Sequence, residues 1–309
     1  MDINPAIFKA YDIRGTYPDQ LNEENIVVIA KAIYTFFKQK IQKETLTIAL
    51  GGDMRTSTPS LQKVVKQALV AMGAHVVDVG LVSTPTFYFS VFHYGYDAGI
   101  QISASHNPKE YNGMKFVRNT PDGLIKIGKT TGMEDVKNLA LAGKFEESTQ
   151  KGTVETKEHV VDDEVTNAFD IIKPDAISPL TIVADAANAM GAVYLDALFQ
   201  KLPCKLVKMN FNLDGTFPAH QPDPLQKSTL VDLQKKVLEE KADIGIAPDG
   251  DGDRIFFIDE KGDVIPASVI TALVITELLK KYTHEKMVFD VRYTWTPTKA
   301  TVDGGGTPV

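Results

Sequence analysis

Short apolar runs of β-prone residues alternate along this chain with longer stretches of helical period, and that alternation constrains the fold more than any single motif. Ile26, Ile29, Ala30, Ile33, Phe36 and Phe37 recur at helical spacing, and residues 47–50, Thr-Ile-Ala-Leu, then read as a buried strand running into Gly51-Gly52-Asp53. Ser57 and Thr58 can cap a following helix with Pro59 in its first turn, and that helix extends to Gly73. Residues 76–79 form the next strand, 85–94 a short aromatic helix and 99–102 another strand. Strand, loop and helix repeated in this order argue for an α/β layered fold with a largely parallel sheet.

The stretch 144–157, KFEESTQKGTVETK, is polar with almost nothing to bury, which places a first domain boundary near residue 150. A second α/β unit, 151–256, takes strands from 180–184, 205–209 and 243–247 and helices from 190–202 and 230–241. Residues 256–258 and 263–265 flank Asp259-Glu260-Lys261-Gly262, a hairpin turn expected to open a third unit, 257–309. That unit is expected to hold a helix over 268–281, a strand over 287–291 and, after Gly304-Gly305-Gly306, the start of another strand at Thr307; it looks incomplete.

Composition narrows the function. Thirty-three basic against 40 acidic residues, a net charge of −7, argue against a non-specific nucleic-acid surface, so no nucleic-acid partner is expected. The single Cys204 can form neither an intramolecular disulfide nor a cysteine-rich zinc site, and MDINPAIFKAYDIRG lacks the basic-then-apolar pattern of a signal peptide. A cytoplasmic location is therefore expected. The most apolar stretch, 264–275, contains Pro266, Ser268 and Thr271 and falls short of the about 20 residues a membrane span needs, so no membrane partner is expected. Nothing in the sequence specifies an oligomeric state.

Asp249, Asp251 and Asp253 in PDGDGDR alternate with glycine directly after a strand, where ligands gather in open α/β sheets. Three carboxylates within five residues repel one another, and a hard divalent cation with oxygen ligands relieves that repulsion; Gly250 and Gly252 let the chain curl so that the oxygens converge. The bland alternative is a solvated Asp/Gly turn. Glu260 falls at the twelfth position counted from Asp249, as in a calcium-binding EF-hand, but the sixth position is Arg254 instead of Gly and the flanks are strands. Asp249-Gly250-Asp251 also resembles the aspartyl nucleophile motif of haloacid-dehalogenase-like phosphatases, with Asp253 where that motif usually has Thr or Val.

SASHNP, residues 103–108, again follows a strand and exposes a serine hydroxyl among donors; in isolation such a Ser-His pair is most often turn chemistry. Lys115 in NGMKF sits in a strand-like segment, where a lone lysine is ordinarily solvated. GLIKIGKT, residues 123–130, fits the letters of a phosphate-binding loop. It lacks the context, because a turn precedes Gly123 and Leu124-Ile125-Lys126-Ile127 alternates like a strand.

Six segments in order, FKAYDIRG (8–15), GGDMR (51–55), ASHNP (104–108), NGMKF (112–116), DGTFP (214–218) and PDGDGDR (248–254), resemble signatures of the α-D-phosphohexomutase superfamily, in particular its bacterial and archaeal phosphomannomutase/phosphoglucomutase branch. The resemblance implies successive α/β domains with mixed, mostly parallel sheets sandwiched by helices. It implies that Ser105 carries a phosphoryl group, that Asp249, Asp251 and Asp253 hold Mg²⁺, and that the phosphate on Ser105 adds a further metal oxygen. Tyr11 and Arg14 match positions lining the site, His106 and Lys115 positions supporting proton transfer, and Arg254 a phosphate contact. Arg292 in FDVRYT stands where the family commonly has a substrate-contacting lysine. The implied activity interconverts hexose 6-phosphate and hexose 1-phosphate, of mannose or glucose, through a phosphoserine and a bisphosphate, with hexose 1,6-bisphosphate as activator.

Independently of the resemblance, phosphoryl transfer asks a protein for positioning and for cations around a spreading negative charge, and these loops offer an acidic triad, Arg254, Arg14 and Lys115. In the family, the third domain continues with a sugar-recognising loop and a fourth domain holds the non-reacting phosphate; the sequence carries neither, so feeble turnover is expected. The alternatives are a Mg-dependent phosphatase using Asp249 and a non-catalytic metal- or sugar-phosphate-binding fragment.

Overall fold

The computed structural model describes residues 3–174 and 177–309. Its first unit runs β1 (Ile13–Thr16), α1 (Glu23–Ile41), β2 (Thr47–Gly52), α2 (Thr58–Ala71), β3 (His75–Leu81), α3 (Thr84–His93), β4 (Ala98–Ile102), β5 (Tyr111–Thr120), β6 (Gly123–Lys126), α4 (Met133–Ala142) and β7 (Thr153–Thr156). Local chemistry sets the helix starts. Asn22 and Asn25 form a reciprocal capping box on α1, Pro59 and Pro85 occupy first-turn positions of α2 and α3, and the Ser83 hydroxyl accepts from the Thr86 amide. The sheet order is β1-β5-β4-β2-β3-β7 with β6 on β5, parallel through the middle and antiparallel where β5 meets β1, β4 and β6.

Side chains alternate across a strand, so the buried middle strands feed two cores. Ile48 and Leu50 pack under α1 and α2 with Phe36, Phe37 and Leu61, while Ala49 and Val77 face Phe87 and Val91 of α3. In the segment whose letters suggested a phosphate loop, the first half, Gly123–Lys126, forms strand β6 on β5.

The polar stretch expected to separate the domains near residue 150 does not end the first unit. Thr153–Thr156 pair in parallel with residues 75–78, so the first sheet extends past that boundary. All four residues are exposed, and an edge strand held by backbone bonds alone carries no apolar signal.

The second unit contains α5 (Val160–Ile172), β8 (Thr181–Asp185), α6 (Gly191–Phe199), β9 (Lys205–Met209), α7 (Val231–Glu240), β10 (Ile244–Pro248), β11 (Ile255–Ile258) and β12 (Val264–Ile265), with sheet order β12-β11-β10-β8-β9. Alternation again assigns faces: Ile182 and Ala184 cluster with Leu195 of α6, and Val183 with Leu233 and Val237 of α7. The hairpin around Asp259 belongs here and does not open a third unit. Its first strand continues the sheet antiparallel to β10, and Ile258 is buried against Val183 and Leu233, which anchors the hairpin to this core.

The remaining residues form α8 (Ala267–Lys281), β13 (Lys286–Met287), α9 (Trp295–Asp303) and β14 (Thr307–Pro308), with β13 and β14 paired in parallel. The strand expected over 287–291 shrinks to residues 286–287. Val288 and Val291 are largely in solvent, so little beyond the two-residue pairing with β14 holds the segment extended. Among the described residues no helix is long and apolar enough to cross a membrane.

Candidate active site

Three strand ends supply the site. β2 runs into Asp53 and Arg55, β4 into Ser103–Pro108, and β10 into the loop of Asp249, Asp251 and Asp253, and these loops meet across the two units. Ser105 sits at φ 54°, the left-handed region that costs a non-glycine residue about 1–2 kcal/mol. Such strain persists only when the surroundings over-determine it. Here the Ser105 amide donates to Ser103 Oγ at 3.0 Å, and the Ser105 carbonyl accepts from Arg55 at 2.8 Å. The hydroxyl is thereby aimed at the second unit, where it donates to Asp251 Oδ1 at 2.6 Å and lies 3.5 Å from Asp249 Oδ2.

Asp249, Asp251 and Asp253 each offer an oxygen within 4.8 Å of the others. That is the separation oxygens reach around a divalent cation with metal–oxygen distances of about 2.0–2.6 Å, and the set is all hard oxygen, so the residues fit Mg²⁺. The Lys115 ammonium reaches the same carboxylates, pairing with Asp251 and with Asp253 at 2.9 Å. Burial alone would lower the Lys115 pKa, but Asp251 and Asp253 outweigh it and hold the ammonium charged. Asp251 is pulled down to about 2, because Lys115 and the hydroxyls of Ser105 and Thr84 overcome the cost of burial. Asp249 is pushed up to about 8 by burial and by the charges of Asp251 and Asp253, so it carries the proton that the crowded carboxylates share.

His106 places Nδ1 3.3 Å from Ser105 Oγ and 3.4 Å from the Arg254 guanidinium. Burial, then Arg254 and Arg14, push its pKa down, which keeps the imidazole neutral and able to take a proton near pH 7. Arg14 donates to Asn107 Oδ1 at 2.5 Å while paired with Asp12, so it borders the serine loop. Tyr11 lies nearby in sequence with its ring in solvent. Arg292 is not brought to this cluster: its guanidinium is exposed and pairs with Asp290 next to it in the third unit.

Sequence reasoning assigned no role to several residues that build the site. Arg55, fully buried, donates to the carbonyls of Ser105, Asn107, Pro108 and Tyr111 at 2.6–3.0 Å and pairs with Asp53 at 3.2 Å. Thr84, at the start of α3, donates its hydroxyl to Asp251 Oδ2 at 2.5 Å and its amide to the Asp251 carbonyl at 2.8 Å. The DGTFP segment packs on Arg55 from the second unit: a Cβ at Gly215 would meet the Arg55 Cα at 2.6 Å, and the Phe217 ring lies 5.2 Å from the guanidinium. The usable signal was an Asp-x-Arg after a buried strand, because a cation there needs many acceptors, and only a loop of carbonyls provides them.

Gly250 touches the serine loop directly; a Cβ there would stand 2.4 Å from the Ser105 carbonyl oxygen. Gly250→Ala is therefore expected to push the two loops apart, destabilising the protein by about 1–3 kcal/mol and weakening Mg²⁺ binding about tenfold. Thermal melting and calorimetric Mg²⁺ titration check this, and unchanged values in both would show that the loops do not touch in solution.

Residues 5–132 match the family described as phosphoglucomutase/phosphomannomutase, alpha/beta/alpha domain I, and residues 162–262 match its alpha/beta/alpha domain II. A phosphomannomutase of Salmonella typhimurium is 37% identical over 308 residues, 98% of this chain and 66% of that protein. One of Escherichia coli K12 is 37% identical over 309 residues, with the same shares covered. The crystal structure of a phosphoglucomutase/phosphomannomutase family protein from Burkholderia thailandensis aligns at TM-score 0.87 and 30% identity, covering all of this chain and 66% of that one. The chain belongs to the phosphoglucomutase/phosphomannomutase family, and it spans 66% of the length of these relatives.

Proposed function

We propose that this chain carries the phosphoryl-transfer centre of a hexose-phosphate mutase, with Ser105 as the phosphoryl carrier. The observation that supports it best is the 2.6 Å approach of Ser105 Oγ to Asp251 within a ring of Asp249, Asp253, Lys115, His106 and Arg254. In the proposed reaction the phosphoryl group leaves phospho-Ser105 for a hydroxyl of a hexose phosphate. The O–P bond to serine breaks, a bond to the sugar oxygen forms, and the sugar's proton passes to a base beside the serine. The resulting bisphosphate turns round and returns its other phosphoryl group to Ser105, converting a 6-phosphate to a 1-phosphate or the reverse. Hexose 1,6-bisphosphate is thus also the agent that primes the serine.

Mg²⁺, when held by the three aspartates and an oxygen on Ser105, supplies positive charge to the transferring phosphoryl group. Lys115, buried and charged, is held on Asp251, the carboxylate that also binds the serine hydroxyl, and so places positive charge in the transfer site. Neutral His106 faces that oxygen at 3.3 Å and is placed to hold the proton in transit. Arg254 and Arg14, partly exposed on the open side, are the phosphate-facing cations. Tyr11 and Arg292 are proposed to contact the sugar phosphate, Arg292 from the third unit; mannose and glucose are the hexoses proposed.

Asp249 is a poor nucleophile in this setting. Its carboxyl is fully buried, accepts the Arg254 amide at 3.1 Å and would be engaged by the cation once Mg²⁺ is held, so the phosphatase alternative lacks an open attacking oxygen. Incubation with glucose 1,6-bisphosphate and Mg²⁺, followed by peptide mass spectrometry, is expected to find an acid-stable phosphate on Ser105. An acid- and base-labile acyl phosphate on Asp249 would overturn the proposal.

The raised pKa of Asp249 gives a second expected outcome. Metal binding requires the deprotonated carboxylate, so Mg²⁺ association near pH 7 should release about one proton, and affinity should fall as pH drops further below about 8. Calorimetry in buffers of different ionisation enthalpy reads the proton count directly. Asp251→Asn should weaken Mg²⁺ binding about 100-fold by removing a full charge from the ligand set. Equal Mg²⁺ protection of parent and variant against thermal unfolding would exclude this loop as the metal site.

A further inference from the structure

The serine loop belongs to the first unit and the acidic loop to the second, so their register depends on chain segments that touch both. Residues 220–222 do so. Gln221 Nε2 donates to the His106 carbonyl at 3.0 Å, and the Gly250 amide donates to the Pro222 carbonyl at 3.0 Å. His220 opens this turn, partly buried, with both ring nitrogens against acceptors: Nε2 lies 3.0 Å from Asp185 Oδ2 and Nδ1 3.0 Å from the Gln221 carbonyl oxygen. Asp185 is buried at the end of β8, and its other oxygen already accepts the Ala187 amide and the Asn210 side chain at 2.9 Å each. An ionised carboxylate and a carbonyl have no proton to offer, so the ring satisfies both only with a proton on each nitrogen.

We propose that His220 is a positioning residue: gripped through both ring nitrogens, it sets the 220–222 turn that holds the Ser105 loop in register with the acidic loop. His220 acts through Gln221 and Pro222 and is hydrogen-bonded to neither Ser105 nor the three aspartates. The charged groups around the ring are all negative, namely Asp185, Asp223 in its own loop and Asp232 in the first turn of α7. The hydrogen bond to Asp185, against the cost of burial, raises the His220 pKa above its ordinary value. A histidine whose folded pKa is raised contributes fully below the unfolded value and loses that contribution as pH rises through the folded one. The turn is therefore set while the ring is doubly protonated and loosens as pH rises through its raised pKa.

The inference rests on taking the two loops as one site, and its test does not require turnover. Nitrogen-15 spectra of the full chain report the protonation of the His220 ring, and hydrogen exchange, corrected for intrinsic rates, reports the 103–108 and 249–254 loops. As pH rises the ring should pass from doubly protonated to neutral, with a midpoint above that of an exposed histidine. Exchange in both loops should rise about tenfold across that transition, the scale of one charge-assisted hydrogen bond. His220→Gln should show the faster exchange at every pH. Gln221→Ala should loosen residues 103–108 while leaving the ring titration unchanged, and it guards against a His220 variant that fails to fold. A neutral ring near pH 6, or loop exchange indifferent to pH and unchanged in Gln221→Ala, would overturn the inference. Failure of Ser105 to accept phosphate in the parent chain at any pH, with these results intact, would instead count against the proposed mutase chemistry.

Discussion

Ser105→Ala should take up no phosphate from glucose 1,6-bisphosphate, and any hexose-phosphate interconversion by the chain should fall by about 10⁴-fold or more. Removing the oxygen proposed to carry the group would remove the covalent route itself, leaving cations that can only hold the phosphate. The geometry adds a second expectation. Ser105 holds φ 54°, strained for alanine and serine alike but free for glycine. Ser105→Gly should therefore be as inactive as Ser105→Ala yet more stable than it by about 1 kcal/mol. Intact-protein mass spectrometry and thermal melting of the pair separate the chemistry from the strain. Retained phosphate on the alanine variant would remove Ser105 from its proposed role.

Arg55→Met should be the most destabilising single change near the site. The guanidinium is fully buried, binds three carbonyls of the serine loop and that of Tyr111 at the start of β5, and neutralises Asp53. Methionine replaces the volume but leaves the Asp53 carboxylate without its cation and the carbonyls without donors. The cost of such a broken buried pair is about 3–5 kcal/mol, a fall of roughly 5–8 °C in melting temperature for a chain of this size. Arg55→Lys should recover little of it, because one ammonium cannot reproduce the planar fork that reaches four oxygens. Since Arg55 also sets the left-handed Ser105, both variants should slow Ser105 phosphorylation. A methionine variant melting within about 2 °C of the parent would show that the loop is held by other means.

Both predictions concern residues that the sequence made visible to different degrees. Ser105 and the three aspartates stood out because each lies just past an apolar β run, and an Asp-Gly alternation or a Ser-His-Asn-Pro corner has few purely structural uses. The alternation of strand and helix similarly settled the α/β class, since apolar periodicity is a one-dimensional property that burial writes directly into the chain. Six motifs in order carried the family likeness, which the matched domains I and II then showed.

What the sequence could not determine was everything decided by contacts distant along the chain. Strand β7 read as a linker because an exposed edge strand is held only by backbone bonds to β3, and the hairpin near Asp259 read as a new unit because nothing local says which sheet it extends. Arg55, Thr84 and His220 looked like ordinary polar residues; only folding buries them against the carbonyls of residues 105–111, the carboxylate of Asp251 and that of Asp185. Arg292 shows the converse, a charge at a suggestive position that tertiary structure leaves in solvent beside Asp290. Hydrophobic pattern fixes which faces are buried, whereas the distant partners that bury these polar groups lie 35–167 residues away and exist only once the chain has closed on itself.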